Sequence, residues 1–148
     1  MEETMNVSEI MSKDVHLVDP NTTIRECAKR MRDEDIGAFP VGENDKLIGV
    51  VTDRDITVRC VAGDTDLSSA TVRDAMSEGV LWCFDDDDVE KAAKSMAEHQ
   101  IRRMPVINHD KRMCGVVTVA DLAKAGVEHA EYIAYRDIAS PSGQERKM

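Results

Sequence analysis

An internal repeat constrains this chain more than any single motif does. Val7 to Asp55 and Val72 to Asp121 carry one pattern, displaced by about 65 positions. Met11-Ser12 recurs as Met76-Ser77, and Ile24, Cys27, Ala28 and Met31 recur as Val89, Ala92, Ala93 and Met96. Phe39-Pro40-Val41 recurs as Met104-Pro105-Val106. Gly49-Val50-Val51-Thr52 recurs as Gly115-Val116-Val117-Thr118 after one extra residue, and Asp55-Ile56 as Asp121-Leu122. A duplication of this length implies two like units about a pseudo-twofold axis, with twin clefts as the place to expect function.

Each copy has the same order of elements. Val15 to Val18 is a short β-rich segment ended by Asp19-Pro20-Asn21. Thr22 or Thr23 can cap a helix whose apolar positions Ile24, Cys27, Ala28 and Met31 form one stripe. Ala38 to Val41 reads as a strand, with Pro40 at its start or edge. Gly42 to Asp45 reads as a turn, Leu47 to Val51 as the second strand of a hairpin, and Asp53 to about Val61 as a short helix. In the second copy Val80 to Phe84 is the first segment, and Asp85 to Asp88 lead into the helix. The fold class is therefore α+β, as two tandem β-α-β-β-α motifs. Val127 to Ile138 can be helical, and the chain beyond Ser140 reads as a frayed tail.

Composition removes several function classes. The 148 residues carry a formal net charge of −10, which opposes both the phosphate neutralisation that nucleic-acid binding needs and adhesion to anionic lipid. Aromatic residues make up 3%, too few for base-stacking platforms. No apolar run is long enough to span a membrane, and the start Met1-Glu2-Glu3 has no secretory character. Neither nucleic acid nor membrane is expected as a partner. Cys27, Cys60, Cys83 and Cys114 lack CxxC spacing and read as small core residues in a reducing cytoplasm.

The recurring Thr-x-x-Asp admits two readings. Thr52 with Asp55, and Thr118 with Asp121, have the spacing of a capping box in which Asp replaces the longer Glu. The same geometry places a carboxylate near free helix N–H groups, where it can hold ribose hydroxyls while the helix end faces a phosphate. Gly49 and Gly115 allow another group to approach the strand closely.

Taken in order, four segments resemble the signatures of cystathionine-β-synthase (CBS) domains. They are Ile36-Gly37-Ala38-Phe39-Pro40-Val41, Ile48-Gly49-Val50-Val51-Thr52-Asp53-Arg54-Asp55-Ile56, Ile101-Arg102-Arg103-Met104-Pro105-Val106 and Gly115-Val116-Val117-Thr118-Val119-Ala120-Asp121-Leu122. The resemblance gives motif 1 at residues 6–62, a linker at 63–70, motif 2 at 71–126 and a C-terminal helix or tail at 127–148. It implies a stand-alone CBS pair (Bateman module), packed through its sheets, that commonly dimerises and binds adenosine-containing ligands in clefts between the motifs.

Residue by residue, the resemblance implies two unequal clefts. In the first, Asp121 holds the ribose hydroxyls, Thr118 contacts ribose or phosphate, and Arg102 and Arg103 neutralise phosphate. Val116, Ile36 and Gly37 flank the adenine, and backbone near Ser12 and His16 reads the base edge. In the second, Asp55, Thr52 and Val50 match, with Ile101 and Leu81 near the base. Gly37-Ala38 replaces the arginine pair there, which leaves Arg54 as the obvious cation; that cleft is weak, takes a neutral adenosine or is empty.

No catalytic constellation, P-loop or glycine-rich dinucleotide fingerprint is present. The Asp85 to Asp88 run reads as an acidic helix start rather than a cation site, and the four dispersed histidines do not have zinc spacing. Trp82 is expected to pack in its strand. The expectation is a non-enzymatic module that requires no cofactor and senses AMP, ADP or ATP, or else NAD or S-adenosylmethionine, as a regulatory ligand. It would act as a homodimer with a regulated protein partner. The alternatives are an interaction protein with degenerate clefts that docks an enzyme or transporter, a nucleotide-processing enzyme, and a nucleic-acid binder.

Overall fold

The two apolar stripes at helical spacing both form helices. In the computed structural model, which describes residues 5–127, α1 spans Ile24–Glu34 and α4 spans Val89–His99. Thr23 and Asp88 cap their N-termini by accepting from the N–H groups of Glu26 and Glu90. Each helix ends on a residue in the left-handed region, Asp35 at φ 54° and Gln100 at φ 55°. These occupy the same place in the repeat, so the helix stop is duplicated without a glycine. The remaining helices are α2 (Asp53–Asp55, continued by a wider π turn over Ile56–Val61), α3 (Val72–Ala75) and α5 (Val119–Lys124). No helix among the described residues is long and apolar enough to cross a membrane.

Both expected hairpins form. β1 (Ala38–Glu43) pairs antiparallel with β2 (Lys46–Thr52), and β4 (Arg103–Ile107) with β5 (Met113–Thr118). The first turn is tighter than the sequence suggests. Gly42 belongs to β1, opposite Leu47, after a bulge, and only Asn44 and Asp45 turn the chain, at φ 55° and 65°. Positive φ at both central residues matches the twist of the flanking strands, and Asn and Asp tolerate it.

The leading β-segment of each copy is shorter than expected. In the second copy it is β3 (Cys83–Phe84), parallel to β4; in the first it shrinks to a single bridge, Val18 to Val41. Next to that bridge the Leu17 carbonyl accepts from the Arg30 guanidinium at 2.8 Å rather than from a strand. Trp82 also departs from expectation: it precedes β3 and is 42% exposed, standing edge-on against Phe84.

The compact units do not coincide with the sequence copies. One comprises His16–Val80; the other, among the described residues, comprises 5–15 with 81–127. Val72 and Ala75, which open the second copy, are fully buried with Val18, Ile24, Cys27, Phe39 and Val51 of the first. Val7, which opens the first copy, is fully buried with Met96, Met104, Val106, Val117 and Leu122 of the second. Backbone bonds fix these exchanged segments. Val72 N–H donates to Thr22 O at 2.8 Å, and Val7 N–H to Asp87 O at 2.9 Å. The expected helix over Val127 to Ile138 lies, apart from Val127, outside the described residues.

Candidate functional site

In the 81–127 unit the candidate residues follow from the pleat of β5. Met113, Gly115 and Val117 face the core, so Cys114, Val116 and Thr118 share a half-exposed face. Thr118 is extended at φ −119° and opens α5. Its N–H donates to Asp121 Oδ2 at 2.9 Å, and Asp121 N–H donates back to Thr118 Oγ1 at 3.1 Å. The pair is thus a capping box, with Asp reaching as far as Glu does elsewhere. One carboxylate oxygen of the half-buried Asp121 is committed to it, and Oδ1 has no partner among the described residues.

The arginine pair is brought to the same place. Arg103 stands opposite Thr118 in the β4–β5 register, and the Arg102 carbonyl accepts from Val119 N–H at 2.9 Å. Both side chains are exposed. Ser12 arrives from the exchanged N-terminal segment: its N–H donates to Val116 O and its carbonyl accepts from Val116 N–H, both at 2.9 Å. Ser12, Arg102, Arg103, Val116, Thr118 and Asp121 therefore converge within one unit.

The 16–80 unit repeats this geometry with other chemistry. Thr52 N–H donates to Asp55 Oδ2 at 2.9 Å and Asp55 N–H to Thr52 Oγ1 at 3.0 Å. Val50 and Thr52 share the half-exposed face of β2. Ser77, the repeat partner of Ser12, bonds Val50 through both backbone groups, at 2.8 and 2.9 Å. Gly37 accepts from Asp53 N–H at 2.9 Å, as Arg102 does from Val119. Ile36 is partly buried against the core of this unit. His16 Nδ1 lies 2.8 Å from Glu34 Oε1. The Arg30 guanidinium bonds the same carboxylate at 2.9 Å and is the main cause holding Glu34 below the usual carboxylate range. In the other unit Ile101 is 6% exposed within the core, and Leu81 packs partly buried against it.

The close approach expected at Gly49 and Gly115 is taken up by the chain itself. A Cβ on Gly115 would stand 2.8 Å from Ser12 O and 2.5 Å from Met11 Sδ. One on Gly49 would stand 2.7 Å from Ser77 O. These glycines admit the exchanged Met-Ser segment to the strand, so they carry no argument for a ligand.

The acidic run at Asp85–Asp88 serves local structure. Asp87 Oδ2 accepts from Phe84 N–H at 3.0 Å, and Asp88 caps α4. His109, from the β4–β5 turn, joins this run. Its Nε2 lies 2.8 Å from Asp86 Oδ2, and its ring stacks on Phe84 at 4.3 Å. Donor atoms of Asp85, Asp86 and His109 lie within 4.8 Å of one another, so these three residues could hold a cation, although the sequence pattern of the acidic run reads as a helix start. The four cysteines are free thiols; burial pushes Cys27 up to about 11 and Cys83 up to about 12.

The CBS domain family profile matches residues 7–62 and 72–128. Hypoxic response protein 1 of Mycobacterium tuberculosis is 36% identical over 134 residues, covering 90% of this chain and 93% of that protein. The crystal structure of a Hypoxic Response Protein I with two coordinated zinc ions superposes with a TM-score of 0.73 at 34% identity, covering 82% of this chain and 98% of that one. CBSX2, from Arabidopsis thaliana, in complex with AMP superposes with a TM-score of 0.69 at 25% identity, covering 82% and 95%. The CBS domain pair of protein MJ0100, in complex with 5′-methylthioadenosine and S-adenosyl-L-methionine, gives 0.67 at 27%, covering 84% and 97%.

Proposed function

Because this chain belongs to the CBS domain family, we propose that it is a non-enzymatic regulatory module whose ligands contain adenosine. The observation that carries this reading is the Asp121 carboxylate, half-committed to Thr118 at the end of β5, with Arg103 opposite Thr118 in the strand register and Arg102 bonded through its carbonyl to Val119 N–H. In the proposal Asp121 Oδ1 accepts from the ribose hydroxyls, the two guanidiniums hold phosphate, and Val116 offers an apolar contact to adenine. Thr118 steers the carboxylate and contacts ribose or phosphate. Backbone near Ser12, whose own N–H and carbonyl are bonded to Val116, reads the base edge. The half-site at Val50, Thr52, Arg54 and Asp55 takes a second ligand. The roles of Ile36, Gly37, His16, Ile101 and Leu81 rest on family resemblance alone.

Relatives of this family hold AMP, methylthioadenosine or S-adenosylmethionine, which supports the ligand class. In the proposal the module is a cytoplasmic homodimer. The ligand prefers one arrangement of the protein and shifts its population, and a protein partner reads the shift.

A second reading has its own support. Both Thr-Asp pairs are fully explained as capping boxes, and both strand glycines are occupied by the chain. A scaffold with degenerate sites, docking an enzyme or transporter, would look the same there. Thermal unfolding against AMP, ADP, ATP, NAD and S-adenosylmethionine, with guanine nucleotides as controls, separates the two readings. A ligand that binds only the folded state at about 100 times its Kd adds roughly 2.7 kcal/mol. A shift selective for adenine supports the module; no shift at millimolar concentration favours the scaffold.

A further inference from the structure

The two half-sites are built on one backbone and carry opposite chemistry at equivalent positions. Val119 N–H bonds Arg102 O and Asp53 N–H bonds Gly37 O, each at 2.9 Å. Thr118 faces Arg103 in register, as Thr52 faces Ala38. Around these shared bonds, one unit presents two exposed arginines opposite a buried valine. The other presents no side chain at Gly37, a methyl at Ala38, and an exposed carboxylate at Asp53.

The Asp53 carboxylate is folded over Gly37. A Cβ on Gly37 would lie 3.1 Å from Asp53 Oδ2 and 3.6 Å from Cγ. The other oxygen, Oδ1, accepts from Arg54 N–H at 2.8 Å, which holds the group in that position. Two residues on, the Asp55 carboxylate is fixed against Thr52. The half-site of this unit therefore has two anchored carboxylates and the exposed Arg54; its other nearby guanidinium, Arg59, is spent on the Ala75 and Met76 carbonyls at 2.9 and 3.2 Å, where the other half-site has one carboxylate and an arginine pair. A phosphate brought to it would meet the like charge of Asp53 and Asp55. A ribose needs only the Asp55 carboxylate; a neutral 5′ substituent meets no repulsion, and a cationic one meets two carboxylates against the charge of Arg54.

We infer that the Asp55 half-site selects adenosine ligands without phosphate, bearing an uncharged or positively charged 5′ group, and that Asp53 is the residue imposing this choice. The Asp121 half-site takes the phosphorylated ligand. This rests on the reading that both half-sites bind adenosine compounds.

The test compares adenosine with AMP by calorimetric titration of the full chain carrying Asp121→Ala, which leaves the Asp55 half-site as the binder. Circular dichroism confirms folding; Asp121→Asn, which keeps an oxygen acceptor for Thr118 N–H, substitutes if the alanine variant unfolds. The Asp121-disabled protein should bind adenosine at least tenfold more tightly than AMP. Adding Asp53→Asn should narrow that gap about fivefold, the weight of one exposed unit charge at short range in water. The gap should also shrink as salt rises. Asp55→Ala should show the reverse preference, for AMP.

Equal affinity of the Asp121-disabled protein for AMP and adenosine would overturn the inference, as would a gap that Asp53→Asn leaves unchanged. If Asp55→Ala binds AMP and the Asp121-disabled protein binds neither compound, the Asp55 half-site is empty: the inference fails and the general reading survives. If unmodified protein binds no adenosine compound, that reading fails and takes the inference with it.

Discussion

Thr118 and Asp121 are tied to each other twice, by N–H to carboxylate at 2.9 Å and by N–H to hydroxyl at 3.1 Å. Thr52 and Asp55 repeat the arrangement to within 0.1 Å (2.9 and 3.0 Å). Each pair ends a strand and starts a helix, so the residues proposed to hold ribose are also structural. Thr118→Ala and Thr52→Ala remove the acceptor for the helix N–H and should each lower unfolding free energy by about 1 kcal/mol. Urea denaturation measures this, and a loss below a few tenths would show that the box does not hold the helix start.

The approach of Ser12 to Gly115 and of Ser77 to Gly49 leaves no room for a Cβ. Gly115→Ala and Gly49→Ala should each destabilise by about 1–3 kcal/mol, as expected of overpacking. At both glycines the obstruction includes a backbone carbonyl, which cannot swing aside as the Met11 side chain near Gly115 can. A neutral effect on the thermal midpoint would mean the leading segments do not sit on the strands.

Val7 and Val72 test the exchange of segments. Each is fully buried in the unit built mainly from the other sequence copy. Val7→Ala should cost on the order of 2 kcal/mol and lower hydrogen-exchange protection in residues 81–127 more than in 16–80. Val72→Ala should do the opposite. Loss confined to the mutated copy would contradict the assignment of segments to units.

The repeat made much of this fold legible. The stripe Val89, Ala92, Ala93 and Met96 reported its own burial, because helical spacing fixes which side chains share a face; in the first copy Ile24, Cys27 and Met31 are buried as expected, but Ala28, expected in the same buried stripe, is exposed. The hairpins followed from turn chemistry, although Asn44-Asp45 rather than Gly42 carries the positive φ. The exchange of Val7 and Val72 was not legible. Alignment says which segments resemble each other, whereas packing depends on which hydrophobic surface each segment covers. At the candidate site, the spacing of Thr118 and Asp121 gave the capping box, while the place of the arginine pair beside them was implied by the resemblance to CBS domains. Gly115 was misleading, since a glycine signals a close approach without saying what approaches. Asp53 over Gly37 and His109 beside Asp86 depend on side-chain directions that no spacing encodes; for Ser77, the repeat partner Ser12 was the available signal.

His109 supplies a pH prediction. The Asp86 carboxylate, first by its hydrogen bond and then by its charge, raises the His109 imidazole above its ordinary value. The folded state therefore holds that proton more tightly than the unfolded chain does. Its stabilising effect is fully present below the unfolded pKa and is lost as pH rises through the folded one. An NMR titration should place the His109 midpoint above the ordinary histidine value, and Asp86→Asn should lower it. An unchanged midpoint would exclude the pair in solution.

Burial holds the Cys27 and Cys83 thiols protonated, near 11 and 12. Iodoacetamide at pH 8 should leave both unmodified in the native protein and alkylate both in denaturant, read by peptide mass spectrometry. Rapid native labelling at either position would contradict its packing.

The central claim is that Asp121 holds the ribose of an adenosine ligand. Calorimetric titration of AMP into wild-type protein and Asp121→Asn tests it most directly, because asparagine keeps an acceptor for Thr118 N–H and removes the carboxylate charge. The account predicts AMP binding to the wild type and at least a tenfold weaker affinity in the variant, with folding preserved by circular dichroism. Equal AMP affinity in the two proteins, or no binding to the wild type at millimolar concentration, would contradict it.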